Sequence, residues 1–68
     1  MVNTNLLKAK MVQQEITQEE LAKKLDLYVT TTHNKITGKN EFKASELAKL
    51  KQILILTDAE FMNIFFAQ

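Results

Sequence analysis

Apolar residues recur along this chain at intervals of three and four. Leu7 and Met11 lie four apart within a stretch of about residues 5–14, and Leu21, Ala22 and Leu25 fall at i, i+1 and i+4 within residues 18–25. Leu47, Leu50, Ile53 and Leu54 continue the pattern, and Phe61, Ile64 and Phe65 repeat it near the end. Positions three or four apart share one face of a helix, whereas a half-buried strand alternates at two. The spacing therefore predicts amphipathic helices that turn these residues toward a common core. Thr17-Gln-Glu-Glu20 and Thr57-Asp-Ala-Glu60 each place a Thr three residues ahead of a Glu where such a stripe begins. In that arrangement the Thr hydroxyl accepts from the Glu N–H while the Glu carboxylate accepts from the Thr N–H, and two otherwise orphaned donors are satisfied. Helix starts are predicted just after Thr17 and Thr57.

Proline is absent and glycine occurs once, at Gly38. The usual punctuation of hairpins is thus missing while Leu, Lys, Ala, Glu and Gln abound, so the expected fold class is all-α. Sixty-eight residues allow a single domain, because a chain of this size buries only about 60% of the surface it exposes unfolded. The chain has no cysteine. Neither a disulfide nor a thiolate metal site can staple it, so an apolar core must hold it, and a reducing compartment is indicated. Hydrophobic residues make up 46% and charged residues 25%, the balance of a folded soluble domain rather than a disordered one. No apolar run exceeds that at 53–56, far below the roughly 20 residues of a membrane span. Residues 1–5 lack the basic and apolar regions of a secretory signal. A cytoplasmic protein is expected, without a membrane.

The net charge of +1 hides an asymmetry. Residues 1–27 carry four lysines and four acids, residues 28–51 carry five lysines against Glu41 and Glu46, and the remainder holds Asp58 and Glu60. An anionic partner would be met by the central part. That part also has the spacing of a helix-turn-helix: residues 18–25 and about 29–37 read as short helices joined by Asp26-Leu27-Tyr28 alone. So short a turn makes the helices cross steeply, with Leu27 plugging the angle, and Gly38 suits a left-handed residue closing the second helix. In such motifs the first helix crosses the phosphate backbone and the second enters the major groove, N-terminal residues toward the bases. Lys35, Lys39 and Lys43 follow or end a helix rich in small polar side chains, which suits a segment straddling phosphates.

Residues 16–25 (ITQEELAKKL), Leu27, residues 36–39 (ITGK) and Phe42 resemble the lambda-repressor-like (XRE and Cro/CI) helix-turn-helix family, in register from about Leu7 to Phe65. The resemblance implies a compact five-helix DNA-binding domain over residues 1–68, with its helix-turn-helix at about 18–37. It implies a transcriptional regulator, repressor or Cro-like, that reads operator DNA in the major groove, often as a homodimer on a palindrome and often phage-borne. Gln18 then touches a phosphate and steadies the recognition helix. Base edges fall to Val29, Thr30, His33 and Asn34, with Thr31 beside them, and phosphates to Lys35, Lys39, Asn40 and Lys43. No cofactor, metal or small-molecule substrate is implied.

The chain departs from that family in several places. Tyr28 stands where a Ser or Thr commonly caps the recognition helix, and Asp26 replaces a frequent glycine. Thr30 is the alternative cap, which would shift the base-facing set by a residue or two. Thr32 takes a position usually aliphatic and buried, so its hydroxyl must find a carbonyl within the helix. There is no arginine, the commonest bidentate reader of guanine, which leaves Val29 and the threonine methyls for thymine and Asn34 for adenine. Ile55 comes where the fourth helix should end on a left-handed residue, a conformation β-branched side chains tolerate badly. Either the helix runs on or Ile55 is exposed; with Phe66 it could form a dimer patch, or both could be core or incidentally exposed.

Catalysis finds no support. His33 is the only histidine, and no Gly-rich phosphate loop or nucleophile elbow is present, so an enzyme is not expected. The competing class is a protein–protein module, such as an antitoxin or anti-repressor built on the same fold, which the low net charge and missing arginines favour.

Overall fold

The computed structural model describes residues 2–66, and five helices occupy most of them: α1 (Thr4–Gln13), α2 (Gln18–Leu25), α3 (Val29–Ile36), α4 (Ala44–Ile53) and α5 (Asp58–Phe65). Three of them begin as the side chains dictate. Asn3 Oδ1 accepts from the Leu6 N–H at 3.1 Å. Both predicted capping boxes close: Thr17 and Glu20 exchange bonds of 3.1 Å, and Thr57 and Glu60 exchange bonds of 2.9 and 3.1 Å. At α3 the Tyr28 side chain caps nothing. The helix nevertheless starts at Val29, which puts Thr30 inside its first turn rather than at its cap. Ahead of α4 stands Lys43, whose ammonium has no acceptor. Only the returning half of a box forms there, from the Lys43 N–H to Glu46 Oε1 at 2.8 Å.

Four helices end in the same way, and glycine serves only one of them. Residues 15, 26, 38 and 55 are left-handed, with φ of 56° at Glu15, 57° at Asp26, 86° at Gly38 and 53° at Ile55. The following N–H in each case reaches back five residues: Ile16 to the Met11 carbonyl, Leu27 to Ala22, Lys39 to Asn34 and Leu56 to Lys51, each at 2.9 Å. This is the Schellman closure, in which a left-handed residue lets the next amide satisfy a carbonyl of the last turn. Ile16, Leu27 and Leu56 then fold their side chains onto the core. Ile55 adopts the left-handed conformation and stays 70% exposed, so α4 does not run on.

Leu7, Leu21, Ile36, Leu50 and Leu54 are completely buried, and Met11, Leu25, Leu56, Ile64 and Phe65 close around them. Of the residues expected inside, Leu47, Ile53 and Phe61 are only partly covered. Phe42, from the α3–α4 connection, meets Phe65 edge to face at 5.9 Å between ring centres. Polar ties fix the periphery. Thr4 Oγ1 donates to the Ile36 carbonyl at 2.8 Å, the Asn3 N–H to the Ile64 carbonyl at 2.6 Å, and Lys10 Nζ to Glu60 Oε2 at 2.9 Å. The radius of gyration is 10.6 Å, against about 11 Å for a fully collapsed chain of this length. Among the described residues no helix is long and apolar enough to cross a membrane.

Candidate functional site

Helix α3 has an inward and an outward face. Thr32, Lys35 and Ile36, at i, i+3 and i+4, are buried. The Thr32 hydroxyl donates to the Tyr28 carbonyl one turn back at 3.1 Å, which is how a hydroxyl occupies a site fit for an aliphatic side chain without an unmet bond. Val29, Thr30 and His33 are exposed on the other side, and Thr31 and Asn34 are half-buried between the two faces.

The turn after α2 sets this face beside the start of α2. Gln18 Oε1 lies 3.0 Å from His33 Nδ1, and Gln18, Glu19, Val29, Thr30 and His33 line one open groove of about 490 Å³. Four residues singled out in the sequence therefore stand together: Gln18, Val29, Thr30 and His33. Thr31 and Asn34, half-buried, do not line it. Glu19 was not singled out; it adds a negative charge at the groove, where it also complements the N-terminal dipole of α2.

Beyond α3 the chain folds back on the helix end. The Asn34 carbonyl accepts from the Lys39 and Asn40 N–H groups at 2.9 and 3.1 Å, so both residues are held at a fixed distance from the outward face. Lys39, Asn40 and Lys43 are exposed. Among the described residues neither Lys39 nor Lys43 makes an ion pair.

Lys35 does not join them, and here the phosphate-contact expectation is corrected. Its side chain points inward, and Nζ donates to Glu46 Oε1 at 2.7 Å, with both side chains 9% exposed. The same carboxylate oxygen accepts the Lys43 N–H. Burial pushes the Glu46 carboxyl up, but the Lys35 and Lys43 hydrogen bonds and the charges of both ammonium groups hold it below its ordinary value. Lys35 thus clamps α3 to the start of α4. The spacing of Thr32, Lys35 and Ile36 carried this signal; the lysine's charge concealed it.

Among the exposed apolar residues, Ile55 lies in the turn before α5, Met62 (54% exposed) on that helix and Phe66 (51%) just past its end. Neither Ile55 nor Phe66 belongs to the core. Among the described residues no cluster of His, Cys, Asp and Glu could hold a metal ion. No family model, curated protein or solved structure matches the chain.

Proposed function

We propose that this chain is a sequence-specific DNA-binding domain of the lambda-repressor-like helix-turn-helix type, acting as a transcriptional regulator. The observation that carries the reading is the outward face of α3. It offers Val29, Thr30 and His33 in the open, joined to the start of α2 by the Gln18–His33 hydrogen bond, with exposed Lys39, Asn40 and Lys43 at the other end of the helix. A duplex needs base readers near a helix N-terminus and donors for phosphates on either side. Gln18, Lys39, Asn40 and Lys43 are assigned to phosphates, and Val29, Thr30, Thr31, His33 and Asn34 to base edges. One helix reads only a few base pairs, so two copies are proposed to act together, with Ile55 and Phe66 supplying apolar contact. Selection of bound duplexes from a random pool tests the reading. An enriched site with dyad symmetry and half-sites about 34–36 Å apart supports it, an enriched site without symmetry removes the dimer, and no enrichment refutes it.

A protein-binding role is the second reading. Glu19 on the groove and the engagement of Lys35 with Glu46 both reduce the positive charge available to phosphates. In that role the same groove receives a partner protein's helix or loop, and the random pool yields nothing.

A further inference from the structure

The contact between Gln18 and His33 fixes more than the position of the ring. Gln18 turns Oε1, which can only accept, toward His33 Nδ1 at 3.0 Å, an arrangement that a neutral ring completes by carrying its single proton on Nδ1. A neutral imidazole has a single N–H, and the tautomer is set by the bond its other nitrogen makes. Nε2, at the far corner of an exposed ring, is therefore left bare as an acceptor. Glu19 lines the same groove, but among the described residues no hydrogen bond joins it to the ring.

We infer that His33 is a base-selecting residue that accepts from an exocyclic amino group, adenine N6 or cytosine N4, and that Gln18 is the positioning residue that holds it in the accepting form. The inference rests on the DNA-binding reading above. In the major groove, adenine N6 and cytosine N4 are the donors, whereas guanine O6 and N7 and thymine O4 only accept. An accepting Nε2 facing guanine sets lone pair against lone pair, so the lock that favours adenine or cytosine also rejects guanine. Without Gln18 the ring can present either a bare nitrogen or an N–H, and that rejection is lost.

Two measurements on the intact chain test this. Nitrogen-15 NMR of the imidazole in the free protein should find the proton on Nδ1, and Gln18→Ala should release it to either nitrogen. Site selection with the wild type should give one position per half-site that prefers adenine or cytosine by roughly two- to tenfold, the range of one net hydrogen bond. His33→Ala identifies that position by erasing its preference, and Gln18→Ala should admit guanine there while other positions keep theirs. A proton on Nε2, a guanine preference at the His33 position, or an unchanged preference in Gln18→Ala overturns the inference and leaves DNA binding standing. Failure of the wild type to enrich any site overturns the DNA-binding reading and this inference together.

Discussion

Replacing Lys35 by Met keeps the length and apolar stem of the side chain while removing its ammonium, so it isolates the clamp between α3 and α4. In the folded chain Nζ donates to Glu46 Oε1 at 2.7 Å, with each side chain 9% exposed. Removing one partner of a buried pair costs about 3–5 kcal/mol because the other charge is stranded. Glu46 would keep the Lys43 N–H at 2.8 Å and could take up a proton, which lowers the expected loss to about 2–3 kcal/mol. Against a total of roughly 5 kcal/mol for a small domain, that loss is severe and well within reach of urea denaturation. The double variant Lys35→Met/Glu46→Leu leaves no stranded charge and should be less destabilised than the sum of the two single variants by about 1.5–3 kcal/mol, the coupling read from a double-mutant cycle. The salt dependence of binding to a random duplex should match the wild type at temperatures where the variant is folded. If Lys35→Met instead unfolds at the wild-type urea midpoint and flattens the salt slope by about 0.9, Lys35 lies on a phosphate and the clamp is wrong.

Other outcomes follow from the same contacts. Glu46 is held below its ordinary value in the fold, so its contribution is present above the unfolded carboxylate value and is lost as pH falls through the folded one. Stability should drop below about pH 4–5, and Glu46→Gln should make that drop shallower in urea titrations across pH. The drop should not vanish, because the Lys51 contact lowers Asp58 and the Thr57 N–H and Lys10 lower Glu60. Lys39→Ala and Lys43→Ala should leave stability within about 0.5 kcal/mol, yet each should flatten the salt slope of duplex binding by about 0.9; slopes equal to the wild type would place these side chains away from phosphates. At Ile55, with φ of 53°, Gly should be more stable than Ala by about 0.5–1 kcal/mol, the reverse of the order expected at exposed Ala48 inside α4. The usual order at position 55 would mean that α4 runs on in solution. Asn34→Ala should relax one selected adenine per half-site, a contact worth about 1–3 kcal/mol of discrimination, without altering the helical circular dichroism; a selected site identical to the wild type's would remove Asn34 from the readers.

The helices were legible because their signals are local. Stripes at three and four, and the Thr17–Glu20 and Thr57–Glu60 boxes, act over a single turn and survive any tertiary arrangement. The helix ends were less so. Glu15, Asp26 and Ile55 do what glycine usually does, and the usable signal was the apolar residue following each one, since Ile16, Leu27 and Leu56 are drawn onto the core. The candidate site was legible as a segment but not as a set of contacts. Gln18 and His33 are fifteen residues apart, and only the crossing of α2 over α3 makes them neighbours. Lys35 misleads in the sequence because a lysine's charge outweighs its register. Its place beside Thr32 and Ile36 on the inward stripe needed Glu46, eleven residues on, before an ammonium could be buried there.

Amide chemical-shift mapping during titration with a random-sequence duplex at low salt tests the central claim most directly, because it reports which surface of the intact chain meets DNA. The account predicts that shifts concentrate at Gln18, at residues 29–34 and at Lys39, Asn40 and Lys43, and that they fade as salt is raised. Shifts that are absent, or that gather instead around Ile55, Met62 and Phe66, would contradict it.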